Sequence, residues 1–140
     1  MKRFFVFLFI CLTFSLSFAV ALPKLKKEKP ALVLTTAPVI TQATSNVTEN
    51  IFKVGDKVNF MFYYPEGFGD SVLRMTIYKL SDKTNTLGYE PVRSRHLPVV
   101  LGDKYYYDYF VIYQPGIYQL QFVESRKPRR ILVWARFKVV

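Results

Sequence analysis

At 140 residues, with 51% hydrophobic and 17% aromatic content and a formal charge of +10, the chain is too apolar to remain unfolded and too short for more than one hydrophobic core. A single cysteine, Cys11, and a single histidine, His96, exclude an intrachain disulfide framework, a thiolate metal site and most routes to nucleophilic catalysis. The positive charge either attracts anionic partners, such as phospholipid headgroups, acidic polysaccharide or nucleic acid, or simply keeps the domain soluble.

Lys2-Arg3, the apolar run Phe4 to Phe18 and the small residues of Ala19-Val20-Ala21 have the three-part layout of a secretory signal peptide, which predicts cleavage after Ala21 and an extracytoplasmic, secreted or periplasmic product. An uncleaved membrane anchor is the structural rival, because the run approaches the roughly 18 residues a spanning helix needs. Thr13, Ser15 and Ser17 weaken that rival, while Lys24, Lys26, Lys27 and Lys29 just beyond the run oppose translocation. Leu8-Phe9-Ile10-Cys11 has bulky Ile10 where a lipoprotein box needs a small residue, so no lipid anchor is expected. Loss of Lys2 and Arg3 with residues 1–21 leaves 18 basic against 10 acidic residues, a charge of +8, and no cysteine. Export also argues against a nucleic-acid partner.

Residues 22–37, rich in Pro, Thr and Lys, read as a lead-in to a domain spanning 38–140, with an edge strand expected between Ala31 and Thr44. Asn46-Val47-Thr48 fits the glycosylation pattern of a protein routed through an endoplasmic reticulum. Period-two alternation then sets in. Val58, Phe60, Phe62 and Tyr64 share one face against Asn59, Met61 and Tyr63, between a Gly55-Asp56 turn and the loop Pro65 to Asp70. Leu73, Met75 and Ile77 are set against Arg74, Thr76 and Lys79, and Ser81 to Asn85 permits a hairpin into a short strand over Leu87 to Val92. After Gly102-Asp103, the aromatic stretch Lys104 to Tyr113 is expected to turn at Gln114-Pro115-Gly116 and return as Ile117 to Val123. A basic turn, Ser125 to Arg130, leads into the closing strand Ile131 to Val140.

Six or seven short strands about ten residues apart, broken by Gly/Pro turns and without helical apolar spacing, predict an all-β antiparallel sandwich. Gln114-Pro115-Gly116-Ile117-Tyr118-Gln119-Leu120 resembles the Asp-x-Gly-x-Tyr-x-Cys pattern of immunoglobulin domains, whose Tyr forms the tyrosine corner. Gly116 and Tyr118 match it, Gln114 replaces the Asp, and Leu120 stands where the second disulfide cysteine would be. The resemblance covers this motif and the strand rhythm of about residues 38–140. It implies a disulfide-free immunoglobulin-like β-sandwich of about seven strands, of the kind secreted bacterial modules use, with Gly116, Tyr118 and Leu120 as structural residues. The buried Trp usual on the third strand of such domains has no counterpart, since Trp134 falls on the last strand.

No nucleophile elbow, zincin helix, phosphate loop or calcium loop is present in the sequence, so neither catalysis nor a cofactor is expected. His96, between Arg95 and Leu97, reads as part of a basic surface, and Glu66 with Asp70 is too sparse a set for Ca²⁺. Three surfaces are candidates for binding a protein, an anionic surface or a polysaccharide. The first is the turn of Arg126, Lys127, Arg129 and Arg130, whose guanidinium groups suit phosphate or carboxylate and which is otherwise a solvated hairpin, with peripheral membrane contact included. Phe68, on a Gly-flanked loop, would be the probe residue of a secreted hydrolase or protease inhibitor. The last is the tyrosine row Tyr105, Tyr107 and Tyr109, which lies opposite Tyr106, Phe110 and Ile112 on the same strand. If its face is exposed it forms an aromatic platform for sugar rings or a protein, and otherwise it covers the sheet.

Overall fold

A computed structural model describes residues 28–37, 48–81, 88–126 and 130–140. Among these the chain forms eight strands: β1 (Ala31–Thr35), β2 (Ile51–Phe52), β3 (Lys57–Tyr63), β4 (Val72–Ser81), β5 (Gly88–Pro98), β6 (Tyr105–Val111), β7 (Gly116–Glu124) and β8 (Ile131–Val139). They make a three-stranded sheet in the order β1-β3-β6 and a five-stranded sheet in the order β2-β8-β7-β4-β5. Every pairing is antiparallel except β2 on β8.

The alternation that marks β3 and β4 in the sequence is what closes the sandwich. Phe60, Phe62 and Phe110 point from the small sheet onto Leu73, Met75, Ile77, Leu120, Phe122 and Phe137 of the large one. Phe122 packs 4.9 Å from Phe62 and 5.4 Å from Phe60, ring centre to ring centre. Each fully buried ring contributes roughly 1.5–3 kcal/mol relative to exposure, comparable with the 2–4 kcal/mol of one disulfide, so a few Phe residues replace the missing bridge. Leu120, buried at the expected cysteine position, belongs to the same cluster.

The tyrosine corner is formed. The Tyr118 hydroxyl donates to the Gln114 carbonyl at 2.9 Å, and burial pushes the phenol pKa up. The topology matches the immunoglobulin pattern: β1, β3 and β6 stand where strands A, B and E do, and β4, β7 and β8 where C, F and G do. Strand β5 stays beside β4 in the C′ position. The place of strand D, next to β6, holds no strand among the described residues.

The structure corrects the sequence reading in several places. The Gln114–Gly116 turn does not make a hairpin: it carries the chain from the small sheet to the large one, and β6 and β7 are not paired. Strand β1 lies upstream of residue 38, at the expected edge, and the remainder of the Ala31 to Thr44 expectation, like the Asn46 sequon, falls outside the described residues. Strand β5 runs to Pro98 rather than ending near Val92, and a bulge between its pairings with Ile77 and Tyr78 interrupts its register. Lys79 faces inward opposite Tyr118, with its ammonium 5.8 Å from the ring centre, because the β4–β7 register continues unbroken through Ile77 and Tyr78. Its stem caps the end of the core while its charge reaches solvent.

Candidate binding surface

The outward face of the small sheet is built by register. Tyr105, Tyr107 and Tyr109 of β6 lie opposite Tyr63, Met61 and Asn59 of β3, which in turn lie opposite Ala31, Val33 and Thr35 of β1. Because Phe60 and Phe110 must face the core, period two turns the odd-numbered tyrosines out. They are 43%, 54% and 48% exposed, beside a buried floor of Met61 and Val33. The tyrosine row is therefore a surface and not a cover. Tyr106, on the opposite side of β6, packs against the core, and its pKa is raised first by burial and then by Asp108.

Three of the rings, Tyr63, Tyr105 and Tyr107, are in contact along the face. Tyr63 and Tyr105 have centroids 4.8 Å apart, and Tyr105 and Tyr107 lie nearly parallel at 6.2 Å. Lys57 holds its ammonium 4.3 Å above the Tyr109 ring, a cation–π contact at the end of the strip. The Tyr63 hydroxyl donates to the Glu28 carboxylate, and that bond pushes the phenol pKa up to about 12. The hydroxyls of Tyr105, Tyr107 and Tyr109 have no hydrogen-bond partner among the described residues. A flat apolar strip with polar tips suits a ligand that stacks and hydrogen-bonds at once.

Phe68 does not fit a probe role. It is 3% exposed and packs 5.6 Å from Phe62 and 6.1 Å from Tyr64. Its N–H donates to the Asp103 carbonyl at 2.8 Å and its carbonyl accepts from the Gly102 N–H at 3.0 Å, so two loops strap together and turn the ring into the open end of the core. Gly67 makes this approach feasible: at φ 76° its missing Cβ would sit 2.7 Å from the Gly102 carbonyl oxygen.

The basic turn is partly described. Buried Asp70 accepts from the Arg126 N–H at 3.0 Å and lies 3.7 Å from the Arg126 Nε, while the Arg126 side chain is 80% exposed. Arg130 donates to the Tyr64 hydroxyl at 3.5 Å, beside a groove of about 300 Å³ that Glu28, Lys29 and Glu66 also line. Lys127 and Arg129 lie outside the described residues, and the four-cation cluster rests on the sequence. Asp70, weighed above as a weak calcium ligand, is occupied in tying the turn to the neighbouring loop.

Trp134 is the residue the sequence reading passed over as a site. It is 54% exposed on the outward face of the large sheet, opposite Gln121, near Arg136, whose guanidinium donates to the Tyr89 hydroxyl at 2.6 Å. The signal was present, since Val133, Ala135, Phe137 and Val139 alternate inward and set Trp134 outward. His96 is exposed on that same face, opposite Arg74.

No protein-family model matches the chain, and no curated protein does. Among solved structures, it is similar to an immunoglobulin-like protein from Pseudomonas aeruginosa, at 12% identity and a TM-score of 0.49 over 81% of this chain and 94% of that one. It is also similar to an uncharacterised protein from Bacillus anthracis str. Ames, at 20% identity and a TM-score of 0.45 over 64% of this chain and 76% of that one.

Proposed function

We propose that the protein is a non-enzymatic binding module that acts outside the cytoplasm and holds a polysaccharide chain on the tyrosine face of its small sheet. The observation that carries this reading is the row of Tyr105, Tyr107 and Tyr109, each about half exposed, continuous with Tyr63 and ended by Lys57. Sugar rings stack on such rings through their C–H faces, and the tyrosine hydroxyls are available to sugar hydroxyls. A flat strip suits an extended polymer, whereas a small molecule needs a concave pocket. Lys57 adds affinity for a uronate or other acidic sugar. Extracytoplasmic action rests on the signal-like leader, and the absence of catalysis rests on the sequence, which offers one histidine and, beyond the leader, no cysteine.

The test is retention of the protein on immobilised polysaccharide from its own host's envelope, compared with the triple variant Tyr105→Ala, Tyr107→Ala, Tyr109→Ala. The variant should lose retention while Trp134→Ala keeps it. Retention of the triple variant would refute the reading. Capture of an envelope protein instead, lost in the same variant, would keep the surface and replace the ligand class.

A further inference from the structure

The two sheets differ in width, and among the described residues the edge of the small sheet at β6 has no strand beside it. Strand β1 is covered where the Glu49 N–H donates to the Leu34 carbonyl at 2.8 Å and the Glu49 carboxylate accepts from the Thr36 N–H at 2.8 Å. Strand β8 is covered by β2, with Lys138 donating to Asn50 and Val140 to Phe52, each at 2.8 Å. Strand β5 is also an edge among the described residues, but Pro91, Pro98, a bulge and two arginines blunt it against pairing. Strand β6 carries no Pro, no Gly and no bulge.

Its outward main chain follows from the ladder. The Tyr64 N–H donates to the Lys104 carbonyl at 2.7 Å, so in this register Tyr106, Asp108 and Phe110 pair with β3, while Tyr105, Tyr107, Tyr109 and Val111 turn their N–H and C=O groups away from it. The Asp108 carboxylate takes the Tyr109 N–H at 2.8 Å and is itself held by Arg95 of β5 at 3.1 Å. Across from β6, Arg93 and Arg95 are on the core-facing side of β5, in register with Ile77 and Met75, yet both are exposed, because among the described residues the small sheet has no strand opposite them. The resulting groove of about 690 Å³ also contains Val111 and Tyr113.

We infer that the outer edge of β6 takes up an extended acidic segment of a partner protein as an added strand, in the strand D place that no described residue fills. Main-chain hydrogen bonds to Tyr105, Tyr107 and Val111 fix the strand, and its inward carboxylates meet Arg93 and Arg95, with Asp108 yielding the Tyr109 N–H. Arg93 has no carboxylate at ion-pair distance among the described residues, and Asp108 is the one acid lining the groove. A second copy of this chain is the wrong occupant, since its β6 edge offers a single carboxylate, Asp108, which is already paired with Arg95. This inference goes beyond the polysaccharide reading: it uses the main-chain edge and β5, not the tyrosine rings.

The probe is a labelled peptide, Thr-Glu-Val-Glu-Val-Glu-Thr, with the Lys-for-Glu peptide as control, both added to the purified protein. The acidic peptide should bind saturably, slow amide exchange at Tyr105 and Tyr107, and lose at least about tenfold in affinity in the Arg93→Glu variant, while the basic peptide should not bind. Arg93→Glu breaks no ion pair among the described residues, so its melting curve should match the parent's. Tyr107→Pro, which removes an outward N–H without touching the β3 ladder, should abolish binding. Equal binding of both peptides, unchanged exchange at Tyr105 and Tyr107, full affinity in Arg93→Glu, or a dimer paired through β6 would each overturn the inference. Loss of polysaccharide retention in the triple tyrosine variant with peptide binding intact would separate this edge from the tyrosine face.

Discussion

The Tyr118 hydroxyl fixes the crossing between sheets through one bond to the Gln114 carbonyl. Tyr118→Phe should cost about 0.5–1.5 kcal/mol in urea unfolding, the net worth of one intramolecular hydrogen bond. Leu120→Ala, which empties a fully buried site, should cost more, about 2–5 kcal/mol. Unchanged unfolding midpoints for both would contradict the corner. Tyr63 titrates differently from an ordinary phenol because its native pKa of about 12 lies above the usual 10.0. The raised value means that the Glu28 contact stabilises the native state fully below pH 10 and that this contribution is lost as pH rises through about 12. Tyr63→Phe should remove one late-titrating phenolate from the absorbance titration, and Glu28→Gln should move that phenolate to lower pH. These residues differ in legibility: Tyr118 announced itself through a local motif, whereas the Tyr63 contact spans 35 residues of sequence, and no periodicity encodes it.

Elements were legible where one face was uniformly apolar. Strands β3 and β4 bury nearly every inward residue, so alternation marked them, while β5 is exposed almost throughout and offered no second face to read. The sheet change after Gln114 was invisible because turn residues specify a reversal and not which sheet receives the next strand. Phe68 misled for a related reason: a Gly-flanked loop reads as protruding, but its strands' partners pull it inward. That strapping gives an element-scale prediction. Gly67→Ala forces a Cβ at φ 76° to within 2.7 Å of the Gly102 carbonyl and should cost about 1–3 kcal/mol, read from thermal melts. Gly102→Ala, at φ 84° with nothing within 4 Å, carries the left-handed strain without a clash and should cost less, about 1–2 kcal/mol. Equal effects would mean that the two loops are not in close contact.

For the whole molecule, length and composition pointed to a single core, the spacing of alternating runs between Gly/Pro turns to the all-β class, and the leader to the expected export. The exported product should begin near Leu22, and its mass should lack Met1 to Ala21. A membrane-bound product retaining them would make the protein an anchored one. Which aromatic row faced outward was not legible, because Tyr105 to Tyr109 alternates aromatic on both sides of the strand and only the packing of Phe110 against Phe60 decides. Polysaccharide binding, as proposed, rests on that row. Ring-proton NMR spectra recorded while the host's envelope polysaccharide is titrated in test it most directly. The signals of Tyr105, Tyr107 and Tyr109 should shift together and saturate, with the Trp134 indole on the opposite sheet unmoved. Shifts confined to Trp134 and Tyr89, or no tyrosine shift at saturating polysaccharide, would contradict it.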